Sequence, residues 1–435
     1  MIQLNAQSDA PESPVSGRGL RVLVLDEWIP YPPDSGKRAR TWNILRRLAR
    51  RHDLALLCYG DREGRAANVV RSAGIELHTV TPLPELKGWQ LYLSLLVNLF
   101  SPRPYSVSKH DTRRFREQLR RLAGRNQIDL IHFEWTPYAR FADEIAGIPT
   151  LMMAHNIEAQ IWARRARHSR TFLERIYFGL QGRKMASFER RAMERADAVA
   201  TVTDLDLNQV RNWGIRSPAL VENGVDLDEF SPSQEQPAAL EILCLSSLDW
   251  FPNVDGVNYL IDEVMPLIVA RMPAVRLRIV GRRPPKGLQD KIARLPWLDF
   301  VGEVSDVRPW LARASVVIVP LRIGGGSRIK ILEALAMGKP VVSTTIGAEG
   351  LAVSGETHLL LADSPEELAR RTIELLKSPE LGPRLGEQGR KLVQERYSWD
   401  RAADALEAAW FSACRSRAVE VAPAANLLKE AHGSL

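Results

Sequence analysis

Residues 319–338 of this 435-residue chain read VPLRIGGGSRIKILEALAMG, and this stretch decides the fold. A short apolar run ends at Leu321, three consecutive glycines follow, and helical periodicity begins near Ser327. A buried strand joined to a helix by a glycine turn is the repeating unit of a parallel α/β sheet. The stretch therefore predicts a doubly wound α/β domain with a ligand-binding turn at the carboxyl end of a strand.

The glycine turn has the features of an anion site. Gly324, Gly325 and Gly326 can bring backbone N–H groups close to a bound anion at the start of the helix. Arg328 and Lys330 fall in the first helical turn, where cations are unfavourable for the helix dipole alone. A bound diphosphate would account for both cations, so we assign all five residues to a phosphate site.

Helical phase divides the side chains of the same segment. It predicts that Ile329, Leu332, Leu335 and Ala336 pack on the sheet, and that Lys330, Glu333 and Ala334 point the other way. A carboxylate at Glu333 can accept two hydrogen bonds from a ribose diol. An ordinary surface ion pair between Lys330 and Glu333 is the alternative, and spacing alone does not decide between the two.

The alternation of apolar runs and amphipathic stretches continues on both sides of this segment. Predicted strands in the first half are 21–28, 53–59, 75–81, 128–133, 149–154 and 198–202. In the second half they are 241–245, 275–280, 298–301, 315–321, 340–344 and 358–362. The domain prediction is a disordered leader 1–19, a first domain 20–226, a linker 227–240, a second domain 241–398, a helix 399–418 and a tail 419–435. Two such domains face each other across a cleft at the carboxyl ends of their strands.

Composition restricts the class of protein. Hydrophobic residues make up 45% and charged residues 26%, as in ordinary globular proteins. The three cysteines show no metal-ligand spacing, so a reducing compartment and no metal site are expected. The net charge is +7, but no zinc-finger or aromatic-interleaved basic pattern indicates nucleic acid as a partner. The start of the chain shows no secretory signal, which predicts a cytoplasmic protein.

The segments quoted above resemble glycosyltransferase family 4, the retaining enzymes of the GT-B fold. Glu333 matches the ribose-binding glutamate of the family's E-x7-E motif, whereas Gly325 stands where the family has its first, sugar-binding glutamate. The triple glycine with a lysine is similar to a subgroup found in polysaccharide-assembly clusters, including the exosortase-associated sugar transferases. VENGVDLDEFSP (221–232) is similar to the family's interdomain segment. Ser247 and Asp255 stand where common members carry a G-R…K-G pair for the diphosphate.

The resemblance implies further donor contacts in the second domain. Arg282, at the end of VRLRIVGR, is a candidate cation for the diphosphate, although a strand-end arginine facing water is the favoured alternative. Backbone near Val304 is expected at the nucleotide base. Glu349, in IGAEGL (346–351), matches a family turn beside the donor. The GT-B fold further implies that the final helix returns to the first domain.

Acceptor-side candidates lie at strand ends of the first domain. YPPDSGKRART (31–41) occupies the place of the family's glycine loop and offers Gly36 and Lys37, with a plain surface loop as the alternative. MMAHNIEA (152–159) puts His155 at the end of a buried strand, where the family often has a histidine near the reacting sugar. Glu134 ends a neighbouring strand and is a further acceptor-site candidate.

The predicted function is transfer of a hexosyl group, with retention and without a metal, from a UDP- or GDP-sugar that serves as co-substrate. Lys330, Arg328 and His155 are the predicted catalytic residues, and no separate cofactor is expected. The expected acceptor is a glycan, a lipid-linked glycan or a small molecule. A non-catalytic nucleotide-sugar-binding scaffold and a nucleotide-sugar epimerase are the alternatives. The apolar run 89–100 suggests peripheral contact with the inner membrane, although packing inside the first domain is the favoured interpretation.

Overall fold

The computed structural model describes residues 19–82, 86–125, 127–169, 171–235, 238–323 and 328–432. Residues 1–18 of the predicted leader and the predicted phosphate-binding glycines Gly324, Gly325 and Gly326 therefore lie outside the described residues. Two parallel sheets organise the rest of the chain.

The first half forms a seven-stranded sheet in the order β3-β2-β1-β4-β5-β6-β7. Its strands are β1 (Arg21–Trp28), β2 (Asp53–Tyr59), β3 (Ile75–Val80), β4 (Leu130–Phe133), β5 (Thr150–Ala154), β6 (Ala198–Thr201) and β7 (Pro218–Leu220). Its helices are α1 (Gly36–Leu48), α2 (Arg65–Ser72), α3 (Trp89–Leu99), α4 (Tyr105–His110), α5 (Arg113–Arg125), α6 (Glu158–Arg167), α7 (Phe172–Arg195) and α8 (Asp204–Asn212), with a 3-10 helix at Thr136–Glu144. Every strand pairing in this sheet is parallel.

The second half forms a six-stranded parallel sheet in the order β10-β9-β8-β11-β12-β13. Its strands are β8 (Glu241–Leu245), β9 (Arg276–Val280), β10 (Leu298–Gly302), β11 (Val316–Val319), β12 (Val341–Ser343) and β13 (Leu360–Leu361). Its helices are α9 (Phe251–Tyr259), α10 (Met265–Arg271), α11 (Lys286–Ile292), α12 (Arg308–Arg313), α13 (Ile329–Ala336), α14 (Thr345–Ala348), α15 (Pro365–Lys377) and α16 (Leu381–Arg396), with a π-helical turn at Leu260–Val264 between α9 and α10.

Apolar cores lie on both faces of each sheet. Along β1, Val22 and Val24 belong to one buried cluster, and Leu23 and Leu25 belong to the cluster on the opposite face. This arrangement explains the nearly continuous apolar composition of the strands, because helices cover both faces of a parallel sheet. The predicted fold class, two doubly wound domains, is confirmed.

The last helix, α17 (Trp399–His432), leaves the second half and packs on the first sheet. Trp410 is fully buried among the aliphatic residues of the first core and donates from Nε1 to Nδ1 of His132 over 3.3 Å. An ion pair between Arg47 and Asp400 joins α17 to α1. The predicted return of the final helix is confirmed, and the helix extends to His432, through residues predicted as a tail.

The chain passes between the two halves twice, once before β8 and once before α17, and these two connecting segments touch each other at Gly224. A Cβ atom on Gly224 would lie 2.4 Å from the backbone nitrogen of Trp399, so no side chain fits there. Arg40, buried in α1, donates to the carbonyl oxygen of Val221 (2.7 Å) and to Oδ1 of Asn223 (2.6 Å). These contacts hold the first connecting segment against α1. They thereby help to set the position of one sheet relative to the other.

Two features of the first domain differ from the sequence analysis. The apolar run 89–100 was expected to pack inside that domain, but it forms α3, whose apolar side chains are mainly exposed. The edge strand β7 was not predicted, because a three-residue strand starting at Pro218 has no measurable alternation.

Candidate active site

The starts of α1 and α13 meet in the cleft between the two sheets. A methyl group on Gly36 would lie 3.8 Å from Cδ1 of Ile329, the first residue of α13. Both helices follow a strand at the carboxyl edge of its sheet, so the N–H groups of their first turns lie near this contact. No side chain of a described residue caps α13 at Arg328. This space can receive an anion from both sides.

Lys330 is held at the end of β8. Its Nζ donates to the carbonyl oxygen of Leu245 (2.7 Å) and to Oδ1 of Asn253 (3.3 Å), and Asn253 is itself fixed on the carbonyl oxygen of Ser247 (2.8 Å). Burial lowers the pKa of Lys330 to about 8, with nearby Arg328 acting in the same direction. The ammonium is therefore poorly compensated, which favours binding of an anion. Asn253 was not predicted as a site residue, because only its contact with Lys330 in the structure identifies it.

Glu333 lies one turn further along α13. Burial raises the pKa of its carboxyl to about 8, partly opposed by Lys330. No hydrogen bond joins this carboxyl to another described residue, so both oxygens are available to a ligand. The prediction that Ala334 shares this ligand-facing side was wrong, because Ala334 is fully buried in the second core.

Arg328 lies between the second half and the first. Its Nη2 donates to the carbonyl oxygen of Ile346 (3.2 Å), and burial lowers the pKa of its guanidinium to about 10 despite the attraction of Glu349. Glu349 accepts a bidentate ion pair from Arg164 of α6, with distances of 2.6 and 2.8 Å. A predicted donor residue thus also bridges the cleft, and Arg164 was missed because nothing in its arginine-rich helix distinguishes it.

A cavity of about 220 Å³ opens beside this bridge. It is lined by Ile157, Gln160, Thr203, Leu205, Asp206, Gln209 and Glu349. This volume is below the roughly 300–1,000 Å³ that is typical of pockets for drug-sized ligands. Asp206 is held at its wall by the hydroxyl of Thr203 (2.8 Å), and burial raises its pKa. Thr203 is the N-cap of α8, which places Asp206 in the first turn of that helix as a capping partner.

Arg282 also crosses the cleft. Its guanidinium forms an ion pair with Asp34 in the loop before α1, and Nε lies 3.2 Å from Oδ2 of Asp249. The favoured expectation that this arginine faces water was wrong. In this arrangement Arg282 joins the predicted acceptor loop to the predicted donor domain, and a phosphate would have to replace one of its carboxylate partners.

His155 follows β5 directly and is fixed by Glu134. Its Nε2 lies 2.7 Å from the carbonyl oxygen and 3.2 Å from Oε1 of that residue. Glu134 is buried and also contacts Thr41 Oγ1 (2.8 Å) and His132 Nε2 (3.0 Å). Burial would raise the pKa of Glu134, but hydrogen bonds from the two histidines hold it well below its usual range. Glu134 therefore orients His155 from behind, and its predicted contact with an acceptor stays a prediction.

The ammonium of Lys37 forms an ion pair within the first domain. Its Nζ lies 2.5 Å from Oδ1 of Asp26 at the end of β1, and 4.9 Å from the ring centre of Trp135. Burial would lower the pKa of Lys37, but Asp26 and Glu27 together raise it. Trp135 in turn donates to Glu158 (2.9 Å). Asp26 and Glu158 were missed because an isolated carboxylate in an apolar strand or at a helix start carries no signal of its partner.

Val304 lies in the loop after β10, half-buried against the second core. The loop is at the carboxyl edge of the second sheet, as a nucleotide base site requires. Among the described residues, no cluster of three His, Cys, Asp or Glu side chains could hold a metal ion. None of the described helices is long and apolar enough to cross a bilayer.

Solved structures have the same two-domain architecture. The chain matches the Anabaena protein HepE, whose crystals contain UDP and glucose, with a TM-score of 0.65 and 15% identity. The match covers 89% of this chain and 98% of that one. At this identity the likeness establishes the fold, which is GT-B.

Sequence comparison identifies the family. The model for Glycosyltransferase Family 4 matches residues 36–229, and the model for Glycosyl transferases group 1 matches residues 239–378. A glycosyltransferase of Methanocaldococcus jannaschii is 30% identical over 390 residues, covering 87% of this chain and 95% of that protein. The chain belongs to glycosyltransferase family 4, and the resemblance found in its motifs is confirmed.

Relatives of known activity match over a shorter region. The MMP alpha-(1->4)-mannosyltransferase of Mycolicibacterium hassiacum is 28% identical over 272 residues, covering 59% of this chain and 64% of that enzyme. The chain spans about half to two thirds of the length of the first curated relatives that it matches.

Proposed function

We propose that this protein transfers a hexosyl group from a nucleoside-diphosphate sugar to a hydroxyl acceptor with retention of configuration. The observation that supports this most is the meeting of α1 and α13 in the cleft, where the cations Arg328 and Lys330, whose pKa values burial lowers, lie beside Glu333. Such a site fits a ligand that combines a diphosphate with a ribose diol.

The donor would lie along α13. Lys330 and Arg328, together with N–H groups at the helix start, would bind the diphosphate, and the carboxyl group of Glu333 would form hydrogen bonds with the ribose hydroxyls. The base would then lie toward the loop that contains Val304. His155, fixed through Nε2, keeps Nδ1 free to accept a hydrogen bond from the donor sugar.

The reaction would proceed on one face of the sugar. The bond between the anomeric carbon and the diphosphate oxygen breaks, and the acceptor hydroxyl oxygen bonds to the same carbon from the same side. The hydroxyl proton passes to an oxygen of the departing diphosphate. The protein's contribution is to hold both substrates and to stabilise the growing negative charge on that diphosphate with Lys330 and Arg328.

Donor and acceptor classes follow from the relatives as proposals. A structural neighbour was crystallised with UDP and glucose, and one relative is named a GDP-mannose-dependent mannosyltransferase acting on a phosphatidylinositol monomannoside. We therefore propose a UDP- or GDP-hexose donor and a glycan or lipid-linked acceptor, used at the cytoplasmic face of a membrane in glycoconjugate synthesis. Turnover without an added metal ion is part of this proposal.

A donor panel tests the proposal. Thermal shifts with UDP, GDP and ADP are compared with those of the matching nucleosides, and hydrolysis of the corresponding sugar nucleotides is followed by nucleotide release in chelator. One diphosphate should raise Tm far more than its nucleoside, and its hexose conjugate should be hydrolysed slowly. Absence of any nucleotide response would reject the enzyme and the scaffold alike. Binding without release would favour the scaffold, and an epimerised sugar nucleotide would favour the epimerase.

A further inference from the structure

Helix α3 carries its apolar side chains on the outside. Together with Phe100, which follows the helix directly, six of them are between 50 and 88% exposed: Trp89, Tyr92, Leu93, Leu96, Val97 and Phe100. Their spacing of three and four residues places them on one helical face. The polar residue Asn98 is buried instead, and its side chain accepts from Gln181 Nε2 of α7 (3.0 Å). The helix is thus attached to the protein through polar contacts and presents an apolar stripe to its surroundings.

The first turns of α7 also carry exposed apolar side chains. Phe172, Leu173 and Ile176 are each more than half exposed. The two helices touch where Gln181 of α7 donates to the side chain of Asn98 and Lys184 donates to the carbonyl oxygens of Asn98 and Leu99. We call the exposed apolar side chains of these two helices together the α3–α7 face. Large exposed apolar surfaces of this kind mark sites of association.

The charges around the α3–α7 face are nearly all positive. Residues 86–110 contain Lys87, Arg103 and Lys109 and no acidic residue. Arg103 contacts Asp111 (3.2 Å), but that carboxylate is shared with two further arginines. Near the start of α7, Arg167 and Arg175 are exposed, and Glu174 is engaged in capping the helix through Thr171. An apolar surface with a basic surround complements an anionic lipid surface.

We propose that the α3–α7 face binds the surface of an anionic lipid bilayer. Four of its side chains are Trp, Tyr or Phe, which favour the boundary between lipid headgroups and acyl chains. A second copy of this chain would bring like charges together across the contact, which disfavours self-association on this face.

The position of the face fits a lipid-linked acceptor. Arg165 of α6 stacks on Phe178 of α7 (4.1 Å) and on Phe251 of the second half (4.6 Å). Phe251 and its neighbour Trp250 are themselves partly exposed at the rim of the cleft. Docking through the α3–α7 face would therefore hold the cleft opening close to the bilayer surface. This last step rests on the proposed function, whereas lipid binding does not.

Vesicle co-sedimentation of the full chain tests the proposal. Phosphatidylcholine vesicles with and without about one third phosphatidylglycerol are compared at low and high salt. We expect binding to the anionic vesicles that weakens with salt. The double variant Leu96→Ser/Phe100→Ser should lose about tenfold or more of that binding. Leu267→Ser, which changes an exposed leucine on α10 away from the face, is the matched control and should bind like the wild type.

Each other outcome overturns the proposal. Failure of the wild type to bind anionic vesicles at low salt, or equal binding by the double variant, excludes the face as a lipid site. If the wild type forms a dimer that the double variant does not form, and if the wild type does not bind vesicles, the face is an interface between two copies of this chain. A thermal shift with nucleoside diphosphate, measured on the same variants, reports on the proposed function separately. Its persistence in the double variant also shows that the variant is folded.

Discussion

Replacing Lys330 by methionine should remove diphosphate binding at little cost to the fold. Burial lowers the pKa of Lys330 from 10.5 to about 8, so keeping it charged at neutral pH costs the free protein about 3 kcal/mol. Methionine removes this cost, but it leaves the carbonyl oxygen of Leu245 and Oδ1 of Asn253 without their donor, a loss of about 1–3 kcal/mol. The two effects nearly cancel, so the Tm without ligand should change little.

The effect on ligand binding should be large. A cation about 4 Å from a phosphate oxygen at a partly buried site contributes about 4 kcal/mol, of which we expect about 2–3 kcal/mol to remain after solvent and neighbouring charges act. Lys330→Met should therefore weaken UDP or GDP binding about 30- to 150-fold and leave nucleoside binding unchanged. Isothermal titration calorimetry with the diphosphate and the matching nucleoside measures both.

The pH dependence gives an independent check. Below pH about 8 Lys330 is protonated and binding should be constant. Above it the free lysine loses its proton, so affinity should fall, up to about tenfold per pH unit, until the raised pKa of the bound state is reached. Lys330→Arg should keep its affinity through this range, because arginine stays charged.

Lys339→Met is the matched control. Lys339 is also a buried lysine whose ammonium contacts backbone carbonyl oxygens, those of Ala312 and Ala314, and burial lowers its pKa. It lies beyond the other end of α13, away from the cleft, so its replacement should not change diphosphate affinity. Equal loss of diphosphate and nucleoside binding in Lys330→Met, or an equal effect of Lys339→Met, would refute the assigned role.

Five further predictions concern the rest of the site and the fold. Glu333→Gln should weaken UDP binding by about tenfold but leave 2′,3′-dideoxy-UDP unaffected in the same titration; equal effects would contradict ribose recognition. The pKa of Glu333, raised to about 8 from 4.5, makes its contribution to stability fall as pH rises between these values. Glu333→Gln should remove that part of the pH dependence of the unfolding free energy, measured by urea unfolding at several pH values. An unchanged pH dependence would argue against the burial of Glu333. His155→Asn should lower kcat with little change in KM for the donor; a change confined to KM would indicate binding alone. Trp410→Ala should cost about 3–5 kcal/mol in urea unfolding because it leaves a cavity under α17, and a loss below about 1 kcal/mol would contradict that packing. A double-mutant cycle of Arg164→Gln and Glu349→Gln should give a coupling of about 1 kcal/mol from the bidentate pair, and additive effects would show that the pair contributes nothing.

The sequence determined the fold class and the order of the elements. The largely apolar runs of β1 and β2 predicted their strands at the observed bounds, because a strand covered by helices on both faces has few polar positions. Helical phase likewise placed Lys330 and Glu333 on neighbouring positions of α13, since a local geometry of fixed period connects them.

The tertiary structure decided the partners. The contacts of Lys330 with the end of β8, of Arg282 with Asp34, and of Glu349 with Arg164 join residues far apart in the chain. Periodicity says that a side chain is buried or exposed, and it carries no information on which distant group it meets. The same limit explains α3. Its apolar pattern predicted burial, but which of its faces packs on the protein was set by Asn98 and Gln181, a polar contact between separate helices that no single segment encodes.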